Sequence, residues 1–61
     1  MKVYILLGTT YGFDAMTEVL GVYTTEEAAK AEIPKFYVEE DECYEIDGDA
    51  AVLYVNPYEV L

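Results

Sequence analysis

Alternating apolar and polar positions predict two strands in the first third of the chain. The segment KVYILLG, residues 2–8, is rich in β-branched and aromatic residues and ends at a glycine. The segment TEVLGVY, residues 17–23, has the same character, and the polar, glycine-containing stretch between them has a length suited to a wide hairpin. We therefore expect two antiparallel neighbours, with Val3, Ile5 and Leu7 on one face of the first.

The apolar period changes in TTEEAAKAEI, residues 24–33, which predicts a helix. Thr24 or Thr25 can cap its first turn, Glu27 lies three residues after Thr24 as in a capping box, and the alanines favour helical backbone. Pro34 limits how far the helix runs regularly. We expect the sheet-facing positions to be Ala28, Ala29 and Ile33.

The last third predicts a second hairpin. With Gly48-Asp49 as a type II′ turn, Ile46 lies opposite Ala51 and Tyr44 lies opposite Leu53, so one face is apolar. We prefer this register because it matches polarity across the strands.

The alternative turn, Asp47-Gly48, pairs Ile46 with the charged Asp49 and matches polarity less well. Beyond the second strand of this hairpin, Asn56-Pro57 predicts a turn followed by a short extended tail.

The order β-β-α-β-β predicts one small α+β domain over residues 1–61, an antiparallel sheet with one helix on one face. The opposite face needs a separate explanation. We expect it to carry apolar and aromatic residues with acids at its border: some of Tyr4, Leu6, Leu20 or Tyr23, Val52 and Tyr54, bordered by Glu45 and Asp47. Such a patch is typical of a surface that binds a target or a second copy, although ordinary surface tyrosines would produce the same pattern.

Charge narrows the choice of partner. The chain has 13 acidic residues, 3 lysines, no histidine and a formal charge of −10. Direct nucleic-acid binding depends on Lys and Arg contacts to phosphates, so this composition argues against it. A basic protein surface, such as the nucleic-acid channel of another protein, is the predicted partner.

The segment VEEDECYEIDGDA, residues 38–50, holds seven carboxylates. Aligning Gly48 with the glycine of an EF-hand loop places Cys43 and Tyr54 at the two end positions, where oxygen ligands are required. A looser divalent-cation site at Asp47 and Asp49 stays open as an alternative.

No other chemistry is indicated. Four of the acids in that segment are consecutive and therefore exposed, so no acid-base pair stands out. Cys43 has no histidine to activate it, and zinc needs more Cys and His ligands than the chain offers. We predict neither an enzyme nor a cofactor. The single cysteine and the short apolar runs predict a cytoplasmic protein without membrane association.

The acids are better interpreted as a binding surface. Carboxylates along the surface of a small protein can bind the arginine and lysine side chains of a partner that normally bind phosphates. In physical terms this is nucleic-acid mimicry. General solubility is the competing explanation. The predicted partner-binding residues are Glu39, Glu40, Asp41, Glu42, Glu45, Asp47 and Tyr54.

The opening MKVYILL and the later EVLGVYTTEEAAKAEI carry a resemblance. Residues 1–7 and 18–33 resemble small uncharacterised bacterial and phage proteins in which an M-K-V-Y strand precedes G-V-[YF]-[ST]-[ST]-x-E-x-A. In size and acidity the chain is also similar to phage anti-defence proteins, including anti-CRISPR inhibitors and DNA mimics. This resemblance implies an inhibitor, in the host cytoplasm if phage-encoded, that occupies a basic nucleic-acid-binding surface. The alternative is a small homodimeric accessory domain that associates through its open sheet face.

Overall fold

The described residues form a five-stranded antiparallel sheet and one short α-helix. The structure is a computed structural model, and it describes residues 1–12 and 15–61. The strands are β1 (Lys2–Thr10), β2 (Thr17–Tyr23), β3 (Tyr37–Val38), β4 (Cys43–Ile46) and β5 (Asp49–Glu59); the helix α1 spans Glu26–Glu32.

The sheet order is β2-β1-β5-β4-β3, so the first and last strands pair at its centre. Both predicted hairpins form, because β1 pairs with β2 and β4 pairs with β5. The α+β class is confirmed, whereas the predicted order lacked one strand. The extra strand is the two-residue β3, which pairs with β4 through Tyr37 and Tyr44. A strand this short leaves no alternating pattern in the sequence.

Helix α1 begins at the predicted threonine pair. Thr25 is the N-cap, and its hydroxyl accepts a hydrogen bond from the Ala28 N–H at 3.1 Å. The helix ends at Glu32, and a 3₁₀ turn containing Pro34 continues to Phe36. The helix contacts β1, β2 and β5, and Ala29 is fully buried. Ala28 is exposed, so its predicted contact with the sheet is wrong.

The β4–β5 hairpin adopts the alternative of the two registers, so the preferred register is wrong. Ile46 pairs with Asp49 and Glu45 with Ala50, so Asp47-Gly48 forms the turn. Both turn residues have positive φ, 51° and 85°, as a type I′ turn requires. Turn chemistry thus outweighs cross-strand polarity. The observed register differs from the preferred one by two residues, so every side chain of the hairpin stays on its predicted face.

The two faces of β1 are opposite to the prediction. Leu6 is 0% exposed, and the neighbouring Gly8 lies against the Ile46 side chain on the helix side. Leu7 pairs with Tyr54, which places both on the open side. Tyr4, Leu6, Leu20 and Tyr23 therefore do not belong to the open face. Both faces of β1 are apolar in sequence, so alternation could not distinguish them.

No turn forms at Asn56-Pro57, which is also a correction. Strand β5 continues to Glu59, with Asn56 opposite Ile5 and Pro57 opposite Tyr4. On its other side β5 pairs with β4 only at Asp49 and Ala50. The proline thus lies where one side of the strand is open, a location that tolerates a missing N–H.

Candidate functional site

Seven carboxylates line one edge of the sheet, and we call residues 39–49 the acidic edge. Glu39, Glu40, Asp41 and Glu42 form the exposed turn between β3 and β4. The Glu42 N–H donates to the Glu39 carbonyl oxygen at 3.2 Å, and Glu42 has a φ of 52°. The remaining acids, Glu45, Asp47 and Asp49, lie on β4, in the following turn and at the start of β5.

Three acids of this edge converge around Glu45. Hydrogen bonding to the Asp41 carboxyl group raises the pKa of Glu45, and partial burial and repulsion from Asp41 and Asp49 act in the same direction. Adjacent carboxyl groups raise one another's affinity for protons because two negative charges are unfavourable at short range. The Glu45 carboxyl group therefore keeps its proton to a higher pH than an isolated glutamate does.

The thiol of Cys43 belongs to the same group. Its Sγ donates to Glu45 Oε2 at 3.7 Å. Desolvation raises the pKa of Cys43, and the charges of Glu45 and Asp41 raise it further. Because the thiolate is the reactive form of cysteine, these neighbours make Cys43 a poor nucleophile.

The ion pairs of the described residues lie away from the acidic edge. Lys30 pairs with Glu26 at 2.6 Å, Lys35 pairs with Glu32 at 2.7 Å, and the N-terminal ammonium lies 3.6 Å from Glu59. Within residues 1–12 and 15–61, no ion pair includes an acid of the acidic edge. The repulsion at this edge is therefore not offset by an internal cation.

The second surface is the side of the sheet away from α1, which we call the open face. Register along β1, β2 and β5 places eight large apolar side chains there: Val3, Ile5 and Leu7 from β1, Val19 and Val22 from β2, and Val52, Tyr54 and Tyr58 from β5. Val19 is 61% exposed and Val22 59%. A contiguous exposed apolar patch of this kind is unusual on a monomer.

The predicted site residues divide between these two surfaces. Asp41 and Glu45 are in contact, whereas Asp47 lies in the hairpin turn. Tyr54 lies on the open face opposite Leu7, about 13 Å along β5 from the Ala50 that pairs with Glu45.

Sequence reasoning missed Asp49 as a neighbour of Glu45 and missed six apolar members of the open face. The Asp-Gly turn signal would have identified Asp49. The missed members are Val3, Ile5, Leu7, Val19, Val22 and Tyr58.

A shallow depression of about 530 Å³ lies at the start of α1. Tyr4, Thr24, Thr25 and the first helical residues line it. Its only lysine, Lys30, is engaged by Glu26, so the depression offers no free charge to an anion.

Metal binding gains no support from the described residues. No group of three or more acidic, cysteine or histidine side chains among residues 1–12 and 15–61 is arranged to hold an ion. Asp47 and Asp49 flank Gly48 in the hairpin, and the described residues supply no third ligand beside them. No described helix is long and apolar enough to cross a membrane.

Fold and surface together define a small antiparallel α+β domain with an unpaired acidic edge and an open apolar sheet face. The chain belongs to the family described as domain of unknown function (DUF7336), whose model matches residues 1–51. The match ends within β5, before the part of that strand that carries Tyr54 and Tyr58. No curated protein and no solved structure matches the chain.

Proposed function

We propose that this protein is a small, non-enzymatic binding module whose acidic edge occupies the basic, nucleic-acid-binding surface of another protein. An inhibitor of the phage anti-defence type, including the anti-CRISPR type, is the specific role that we propose. The observation that carries the proposal is the set of seven carboxylates that no internal cation offsets, in the part of the chain that the structure describes.

The energetic argument rests on Glu45. Hydrogen bonding to Asp41, partial burial and repulsion raise the pKa of Glu45, so ionising this carboxyl group costs free energy in the isolated protein. Lysine or arginine side chains of a partner would lower that cost, and guanidinium groups can bind carboxylates in the bidentate way in which they bind phosphates. The Glu39–Glu42 turn is exposed and can reach such a surface without rearrangement.

Capture from a cell lysate, washed at two salt concentrations, tests this proposal. We expect the captured protein to bind at least about tenfold more weakly at the higher salt, because exposed charges are screened. Double-stranded nucleic acid should release the captured protein, since it competes for the same basic surface. Binding that ignores both salt and nucleic acid would refute the mimicry.

A pair of matched variants separates the acidic edge from total charge. The first is the triple variant Glu40→Lys, Glu42→Lys, Glu45→Lys; the second is Glu18→Lys, Glu27→Lys, Glu59→Lys. Each reversal adds two charges, so three reversals take both proteins from −10 to −4. We expect only the first to abolish capture. Equal loss in both would mean that net charge, and not the acidic edge, attracts the partner.

The competing proposal is a homodimeric accessory domain that has no inhibitor role and whose charge serves solubility. The exposed apolar residues of the open face favour it. If the edge variant captures every partner that the wild type captures, this second role is the one that remains.

A further inference from the structure

We infer that the open face is the interface through which two copies of this chain associate, with their sheets stacked face to face. The inference goes beyond the proposed function and does not depend on it, because Glu45 is the one charged strand residue that the acidic edge and the open face share, and the apolar centre of the open face lies away from it. Its arguments are the distribution of charge, the available area and the shape of the molecule.

Charge is almost absent from the open face. Among the described strand residues, register places one charged side chain there, Glu45, and it lies at the corner beside β5 residue Ala50. The strand residues Lys2, Glu18, Asp49 and Glu59 all lie on the helix side. A protein with a formal charge of −10 has thus kept this face nearly neutral.

This distribution selects a second copy as the occupant. A basic partner is attracted by carboxylates, and among the described strand residues the open face carries one, Glu45, at its corner. A second copy of a strongly acidic protein is repelled wherever acids face each other, so the surface on which two copies can meet must be free of them. The apolar centre formed by Leu7, Val22 and Tyr54 fulfils that condition.

The size of the domain is compatible with a dimer interface. The domain measures 39 × 23 × 12 Å, so the outline of its broad side has an upper bound of about 900 Å². Stable interfaces bury about 800 Å² on each partner, with apolar side chains at the centre and polar groups at the rim. The open face places apolar side chains at its centre and Glu45 at its rim.

The shape of the domain leads to the same conclusion. Its shortest dimension, 12 Å, corresponds to a single sheet with a helix on one side. Stacked sheets pack about 10 Å apart in β-sandwiches, so two open faces can form a shared core between two outer helices. Both acidic edges would remain accessible at the margins of such a dimer.

Sedimentation equilibrium over a range of protein concentrations tests the interface. We expect a monomer–dimer equilibrium, and we expect the dimer to be at least as stable in 1 M NaCl as in 0.1 M, because salt screens the repulsion between copies and does not weaken apolar contact. Binding of a basic partner has the opposite salt dependence, so the two surfaces can be tested separately. A wild type that stays monomeric at about 1 mM protein in 1 M NaCl would overturn the inference.

Single substitutions locate the contact. Tyr54→Asp and Val22→Asp place a charge at the centre of the open face, and we expect each to weaken dimerisation at least about 30-fold. Tyr54→Lys should act in the same way if apolar burial drives association. Ala28→Asp adds the same charge as the aspartate variants at an exposed position in the first turn of α1 and should remain dimeric. Tyr54 is 41% exposed and Val22 is 59% exposed, so the variants at these two positions should fold. Far-UV circular dichroism checks this. Dimers that persist in folded Tyr54→Asp and Val22→Asp would place the interface elsewhere.

Discussion

The contact between Gly8 and Ile46 gives a quantitative test of which side of β1 faces the core. A Cβ at position 8 would overlap the Ile46 Cδ1 atom and would lie 3.1 Å from Leu20 Cδ1. Gly8 has no positive φ, so alanine meets no backbone strain there and its whole cost is steric. Ile46 is 5% exposed and has little room to move. We expect Gly8→Ala to destabilise the protein by about 1–2 kcal/mol, within the range for overpacked cores.

Removing one methyl group from Ile46 should relieve this overlap. Ile46→Val alone costs about 1 kcal/mol, the usual loss for a buried Ile-to-Val change. If the two positions were independent, the double variant would lose about 2–3 kcal/mol. Because the valine lacks the Cδ1 atom that the new Cβ would overlap, we expect the double variant to be about as stable as Ile46→Val.

Urea unfolding followed by circular dichroism measures these differences. A domain of 61 residues has a total stability of about 3–9 kcal/mol, so a loss of 1–2 kcal/mol is readily resolved. The control pairs Gly8→Ala with Val22→Ala, which lies on the open face and should be additive within about 0.5 kcal/mol. If Gly8→Ala costs nothing, or if its cost adds fully to that of Ile46→Val, then Gly8 does not face Ile46 and the face assignment of β1 is wrong.

Three further predictions concern the helix cap, the hairpin turn and the acidic edge. Thr25→Ala removes the hydroxyl that accepts the Ala28 N–H and should cost about 1 kcal/mol, whereas Thr25→Ser should cost little in the same urea assay. Gly48→Ala forces a side chain into a φ of 85° and should cost about 1 kcal/mol, with Gly48→Asn less affected because asparagine tolerates this region; equal losses would argue against the turn geometry. The pKa of Glu45 is raised, first by hydrogen bonding to Asp41, so protonating Glu45 stabilises the folded state. This stabilisation is complete below the unfolded-state pKa and is lost as the pH rises through the folded-state pKa. When the pH is lowered from 7 to about 5, the melting temperature of the wild type should therefore increase more than that of Glu45→Gln. Parallel curves of melting temperature against pH would contradict the contact between Glu45 and Asp41.

Local sequence signals predicted the elements whose stability is local. The threonine before Glu26 caps the helix through a hydrogen bond to a residue three positions away, so the sequence contains both partners within one turn. The Asp47-Gly48 dipeptide is a type I′ turn signal, and it sets the register of the β4–β5 hairpin although cross-strand polarity favours the other register. The register predicted from polarity is wrong because two residues with positive φ fit the strand twist, while Asp49 is at the exposed sheet margin where its charge is tolerated.

Features that depend on distant residues could not be predicted in the same way. The side of β1 that faces the core depends on how Gly8 meets Ile46, 38 residues later. The continuation of β5 through Pro57 depends on Tyr4 and Ile5 as pairing partners. The acidic edge was predicted as a charged segment, but the contact between Asp41 and Glu45 requires the turn that Glu42 forms. None of these contacts has a signature in the local pattern.

The two surfaces constrain each other. A small domain buries only about 60% of the surface that its unfolded chain exposes, and here the buried hydrophobic residues are few: Leu6, Ala29, Ile46 and Ala51 among the described residues. Adding carboxylates lowers the stability of such a domain through repulsion, and leaving Leu7, Val22 and Tyr54 partly exposed forgoes a further apolar contribution. Association through the open face would recover that contribution, and Glu45, at the rim, is the one charged residue of the described strands that would lie beside the contact. A dimer would therefore permit a higher density of negative charge than the monomer tolerates, so disrupting the open face should lower stability most at low salt, where repulsion is strongest.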